Sequence, residues 1–148
     1  LGYFGRLRVE KGVRQFIESG YDVLRYPMFL IYGDGSEKDK IRSLIREKGL
    51  EGNIRLMGAV THAEVTDAMG SIDAVVLPSL CHENCPLVVC DALKLGKKVV
   101  SSSFGGVEEL LKAKQDGDVA FLDVANYQEA LIAIYQDVVI SGCNLESA

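Results

Sequence analysis

Long apolar runs are missing. No stretch approaches the roughly 18 consecutive apolar residues that a membrane-crossing helix needs, so no transmembrane segment is expected. The start lacks the basic region and short apolar core of a secretory leader. Basic residues are not in excess: the formal net charge is −5, which argues against nucleic acid as a main partner. Cysteine is scarce and unpatterned. The four cysteines make no small-scaffold disulfide framework, which suits a reducing compartment. Internal repeats and low-complexity tracts are absent, as are a Ser-His-Asp order, a Walker-type phosphate loop and a kinase signature. No G-x-G-x-x-G follows the first apolar run, which disfavours a dinucleotide-binding or flavodoxin-like protein.

What remains is an ordinary globular composition. Hydrophobic residues make up 48% and charged residues 25% of the 148 positions, enough for one domain with a substantial core. The chain begins at Leu1 inside a strand-like run, and an excised domain is the expectation. Residues 1–7 read as a first strand. Residues 11–25 read as a helix, with Val13, Phe16, Ile17, Val23 and Leu24 as its inner residues. Residues 28–32 form a second strand, closed by Gly33-Asp34-Gly35. Ser36 is expected to cap a helix to residue 48, with Gly49 as its stop. Ile41, Leu44 and Ile45 have helical spacing.

Residues 53–57 are a third strand, ended by Gly58. Thr61 and Glu64 have the spacing of a capping box before a short helix to about residue 70. Residues 73–77 carry the continuous apolar pattern of a buried parallel strand. A helix from about residue 84 to Gly96 is apolar nearly all round and is therefore expected to be buried. Residues 98–101 are a fifth strand and lead into a helix to about residue 112. Residues 119–122 are a sixth strand. Asn126 caps a last helix to about residue 140. This alternation predicts an α/β fold, with a parallel sheet of about six strands and helices on both faces. Ligands in such sheets bind beyond the carboxyl ends of the strands, so the loops there hold the information.

The loop after the first strand, Gly5-Arg6-Leu7-Arg8-Val9-Glu10-Lys11-Gly12, sets three cations before a helix. A helix start favours anions, and Arg and Lys donors suit a diphosphate; a solvated surface loop is the plain alternative. Gly33-Asp34-Gly35 reads as a tight turn or as backbone brought close to a ligand. Glu83 stands at the entrance of the apolar helix, where the dipole favours a carboxylate. Asp91 lies eight residues later, about two turns on and nearly on the same side. A short ligand along this helix can be held at both ends. The alternative is a dipole partner and a solvated residue. Cys81, His82, Cys85 and Cys90 lack a second C-x2-C pair, so core thiols explain them better than zinc. His62 sits inside the capping box and needs no function.

These segments together resemble the retaining glycosyltransferases of family 4, which have the GT-B fold. Gly5-Arg6-Leu7 to Lys11-Gly12 resembles the family's diphosphate-binding segment, Gly33-x-Gly35 its G-x-G turn, and Gly58-Ala59-Val60 its G-x-V segment. Glu83-Asn84-Cys85-Pro86-Leu87 through Asp91 resembles its E-x7-E region, with Asp in place of the second Glu. Gly105-Gly106-Val107-Glu108-Glu109 resembles its G-G-x-x-E turn. The resemblance implies the Rossmann-like, C-terminal, donor-binding half of the fold. It implies that Arg6 and Lys11 contact the donor phosphates and Glu83 the donor sugar. Gly5, Gly33, Gly35, Val60, Asn84, Cys85, Pro86, Leu87 and Asp91 would complete the donor site, with Asp91 at the ribose. Arg8 has no match and stays a surface charge. No metal and no cofactor are implied. The partners implied are a nucleotide diphosphate sugar, such as a UDP- or GDP-sugar, and an N-terminal acceptor domain outside this chain. Transfer would proceed with retention, and this chain alone would be nearly inactive. The expected location is cytoplasmic, with any peripheral membrane docking left to the full-length enzyme. The competing reading is a nucleotide-sugar binding module without chemistry, or one subunit of a split transferase.

Overall fold

Apolar side chains occupy both faces of the central strands, and each face has its own helical cover. The computed structural model describes residues 1–25, 27–80 and 87–102, and the backbone of 119–122. Six strands lie in one sheet in the order β3-β2-β1-β4-β5-β6. They are β1 (Gly2–Phe4), β2 (Phe29–Tyr32), β3 (Ile54–Gly58), β4 (Ala74–Leu77), β5 (Lys98–Ser102) and β6 (Val119–Leu122). Every pairing is parallel. The strand order reverses between β1 and β4, and that junction is where a doubly wound sheet opens a crevice.

The period of two decides which helix each strand residue meets. Tyr3, Phe29, Ile31, Ile54, Ala74, Val76 and Val100 face one side. Helices α1 (Val13–Leu24) and α2 (Lys38–Glu47) cover them with Val13, Phe16, Ile17, Leu24, Ile41 and Ile45. Phe16 meets Phe29 edge to face at 5.7 Å and 78°, a geometry worth about 0.5–1.5 kcal/mol beyond burial. Phe4, Val75, Leu77 and Val99 face the other side, beside half-buried Leu30 and Tyr32. Met69 of α3 (His62–Met69) and Val89 and Ala92 of α4 (Leu87–Lys94) cover that side.

The capping box forms as expected. The Thr61 amide donates to Glu64 Oε2 at 2.6 Å, and the Glu64 amide donates to Thr61 Oγ1 at 3.3 Å. Gly96 stops α4 through the paired bonds of a Schellman turn, Gly96 N to Leu93 O and Lys97 N to Ala92 O.

Four expectations need correction. The first strand is Gly2–Phe4, shorter than residues 1–7, because Leu7 leaves the sheet to become fully buried in the core. The first helix starts at Val13 rather than Lys11. Residues Val9–Lys11 make a separate 3-10 turn, and Gly12, with φ 72°, interrupts the path between them. Ser36 does not cap α2; Glu37 holds that position without a side-chain cap, and its amide donates to Leu7 O at 2.8 Å instead. Helix α4 is not buried all round. Val89 and Ala92 are buried, whereas Leu87 is 69% and Leu95 43% exposed. A helix on one face of a sheet offers it a single stripe, whatever its composition. The turn at residues 105–109 and the helices expected after residues 102 and 122 lie outside the described residues.

Candidate functional site

Three loops meet beyond the carboxyl ends of β1, β2 and β3, and backbone hydrogen bonds fasten them to one another. Gly5 N donates to Tyr32 O at 3.0 Å and Leu7 N to Asp34 O at 2.9 Å. Gly33 N donates to Gly58 O at 2.8 Å. On the other side, Leu80 N donates to Glu10 O at 2.8 Å, which ties the loop after β1 to the one after β4. The loop of residues 5–12 thus straddles the reversal in strand order.

The fit between loops is closer than a side chain allows. A Cβ on Gly33 would lie 1.7 Å from Gly5 O, and one on Gly12 would lie 2.1 Å from Pro78 O. A Cβ on Gly35 would lie 2.4 Å from Leu7 O. The glycines of the first two motifs therefore let loop backbones touch. Asp34 shapes the turn between the last two, where Gly35 N donates to its Oδ1 at 2.8 Å.

A groove of about 380 Å³ opens over these loops. Gly5, Arg6, Gly33 and Asp34 line one part of it. Ala59, Val60 and His62 approach from the end of β3, and Val65 and Val88 from α3 and α4. The floor is aromatic: Phe4 and Tyr32 are direct register partners, stacked at 4.9 Å and 3°. Arg6 is exposed and makes no ion pair among the described residues. Its backbone is held by the Tyr3 hydroxyl, which donates to Arg6 O at 2.7 Å. Leu7 is pinned in the core, so Arg6 is directed the other way. Arg8 is spent on Glu10 at 3.8 Å, in line with its reading as a surface charge.

Behind the loops stands a buried carboxylate. Glu37 is 3% exposed, and Arg14 Nε donates to its Oε2 at 2.5 Å. Lys40 Nζ donates to its Oε1 at 3.3 Å. The Arg14 bond, more than any opposing effect of burial, holds the Glu37 carboxyl below the usual carboxylate range.

Of the residues expected in a donor site, the groove brings together Gly5, Arg6, Gly33 and Val60. Lys11 closes the 3-10 turn, half-buried, and is not among the lining residues. Gly35 sits behind the groove against Leu7. Leu87 and Asp91 lie on α4 outside the lining, which takes Val88 instead. Glu83, Asn84, Cys85 and Pro86 lie outside the described residues. Phe4, Tyr32 and His62 line the groove without having been singled out for it. The signal for Phe4 and Tyr32 was their place at strand ends, where such sheets bind ligands. Among the described residues no group of three or more His, Cys, Asp or Glu side chains is placed to hold a metal ion. No helix among them is long and apolar enough to cross a membrane.

Comparison with known proteins bears on the family and the fold. Residues 1–137 match the family model described as "Glycosyl transferases group 1". Alpha-D-kanosaminyltransferase of Streptomyces kanamyceticus is 28% identical over 120 residues, covering 79% of this chain and 31% of that enzyme. The crystal structure of HepE from Anabaena in complex with UDP superposes with a TM-score of 0.78. The identity there is 25%, over 95% of this chain and 39% of that one. The C-terminal domain of a group 1 glycosyl transferase, LpcC of Francisella tularensis, shares the fold, with a TM-score of 0.72 and 23% identity. That match covers 95% of this chain and 74% of that one. The chain spans about 30% or less of the length of the curated relatives it matches. By family match, sequence relatives and fold together, the chain belongs to the group 1 glycosyltransferases, as a C-terminal domain of their GT-B fold.

Proposed function

We propose that this chain binds a nucleotide diphosphate sugar and, with an N-terminal acceptor domain, transfers the glycosyl group with retention at the anomeric carbon. The observation that carries the reading is the groove at the ends of β1, β2 and β3. It joins Arg6, which makes no ion pair among the described residues, to Gly5, Gly33 and Val60. The names of the relatives support it: one is a kanosaminyltransferase, and HepE has been crystallised with UDP and with UDP-glucose. In this reading Arg6 lies along the diphosphate, and Lys11 adds positive charge from the end of the 3-10 turn. Charge develops on the diphosphate as the glycosidic bond breaks. Fixed cations stabilise it without reorganising. In this reading Glu83 holds the sugar hydroxyls, and Asn84, Cys85, Pro86 and Leu87 contribute to the donor site. Anchoring the whole donor orients the anomeric carbon toward the acceptor. The chemistry uses no metal and no cofactor beyond the donor itself.

Calorimetric titration with UDP, GDP and ADP, on wild type and Arg6→Ala, tests the reading. One nucleotide binds and Arg6→Ala weakens it roughly tenfold or more, as expected for a charged hydrogen bond to phosphate. EDTA leaves binding unchanged. Absence of binding by all three at millimolar concentration overturns donor binding by this chain. Transfer activity is expected only when a separately expressed N-terminal half is added, and robust turnover without it overturns that part.

A further inference from the structure

The order of strands fixes the order in which a bound donor meets them. Arg6 follows β1 and Val60 follows β3, with β2 between them in the sheet. Neighbouring strands are about 4.8 Å apart, so a ligand reaching from Arg6 to Val60 spans roughly 10 Å and crosses the end of β2 midway. The side chain there is Tyr32. It lines the groove, half-buried, with its ring held flat against Phe4. Its hydroxyl has no hydrogen-bond partner among the described residues. With a diphosphate on Arg6 and the base near Val60, the ribose crosses the end of β2, where Tyr32 lines the groove. Asp91, to which the resemblance gives the ribose, is not among the residues lining the groove.

We infer that Tyr32 is a donor-contacting residue whose hydroxyl hydrogen-bonds a ribose hydroxyl, in the place the resemblance assigns to Asp91. The inference rests on the donor-binding reading above. The ring stack makes the contact pre-organised, because the phenol has little rotamer freedom left to lose on binding. It also makes the contact separable from folding: Tyr32→Phe keeps the stack and removes one oxygen.

The test is titration of the 148-residue chain with UDP, 2′-deoxy-UDP and 3′-deoxy-UDP, in wild type, Tyr32→Phe, Asp91→Asn and Arg6→Ala. Thermal melts check that Tyr32→Phe folds as wild type does. Wild type is expected to bind one deoxy nucleotide about three- to tenfold more weakly than UDP, the worth of a neutral hydrogen bond. Tyr32→Phe is expected to bind UDP more weakly by a similar factor and no longer to discriminate against that analogue. Asp91→Asn keeps the discrimination, and Arg6→Ala weakens all three nucleotides alike. If Tyr32→Phe binds UDP like wild type, or still discriminates, the ribose contact is refuted while donor binding stands. If Asp91→Asn abolishes the discrimination, Asp91 holds the ribose and the inference falls. If wild type binds none of the three, the donor reading itself fails and the Tyr32 contact falls with it.

Discussion

Gly33→Ala is the sharpest probe of how the site is built. The added Cβ would stand 1.7 Å from Gly5 O, whereas ordinary van der Waals contact begins near 3.4 Å. The neighbour is backbone, so no side chain can rotate away. The loops after β1 and β2 must part, which strains Gly5 N to Tyr32 O at 3.0 Å and Gly33 N to Gly58 O at 2.8 Å. Overpacking of this kind costs about 1–3 kcal/mol, and each weakened backbone bond adds about 0.5–1.5 kcal/mol. Roughly 3 kcal/mol is expected, or a drop of about 6–12 °C in Tm for a chain of this size. UDP affinity should fall with it, because Gly5 and Arg6 belong to the displaced loop. Gly52→Ala is the control: nothing lies within 4 Å of its added Cβ, so a change within about 0.5 kcal/mol is expected. Differential scanning calorimetry and UDP titration on both variants decide the matter. A Gly33→Ala protein that melts within about 1 °C of wild type and binds UDP unchanged would refute the interlocked-loop account.

Three further outcomes follow from contacts elsewhere. The Glu37 carboxyl is held below its ordinary value of 4.5, so it contributes stability above that value and loses it as pH falls through the folded value. The stability gap between wild type and Glu37→Gln in urea should therefore be widest near neutral pH and narrow as pH falls below 4.5; a gap that widens in acid would contradict the sign. Thr61→Ala removes a capping box and should cost about 1 kcal/mol by urea denaturation, whereas no loss would mean that α3 is held by packing alone. Gly12→Ala, with φ 72° and Pro78 O at 2.1 Å from the new Cβ, should destabilise at least as much as Gly33→Ala, and an unperturbed melt would show that the loops after β1 and β4 are not in contact.

The alternation of apolar runs and helical spacing was enough to read the sheet, because each strand's pattern is local. Ala74 to Leu77 is four buried residues in a row, and it read as a doubly covered strand for that reason. The 3-10 turn at Val9–Lys11 was not legible, because it depends on Leu7 entering the core and Gly12 meeting Pro78, contacts distant in sequence. The cap of α2 was misread for a similar reason. Ser36 has the right chemistry, but Glu37 is drawn away by Arg14 and Leu7, both far earlier in the chain. In the groove, Gly5, Arg6, Gly33 and Val60 were legible through motif spacing. Phe4 and Tyr32 carry only the weaker signal of a strand-end position, and the register that makes them neighbours, which turns two aromatics into a floor, is not in the sequence pattern.

The central position of β1 bears on how the chain acquires its shape. Strand β1 pairs with β2 and, through Gly2 and Val75, with β4. Its second partner is thus made only after α1, α2, β3 and α3 have passed. Contacts so distant along the chain slow folding, since loop closure must precede any reward. A nascent chain that has not yet reached β4 would leave the middle of the finished sheet as an open edge, the kind of surface on which other chains assemble. The loop carrying Arg6 would then lack its anchor at Leu80. Groove assembly is therefore expected to be a late event on the ribosome, and chains truncated before residue 74 should aggregate rather than bind nucleotide.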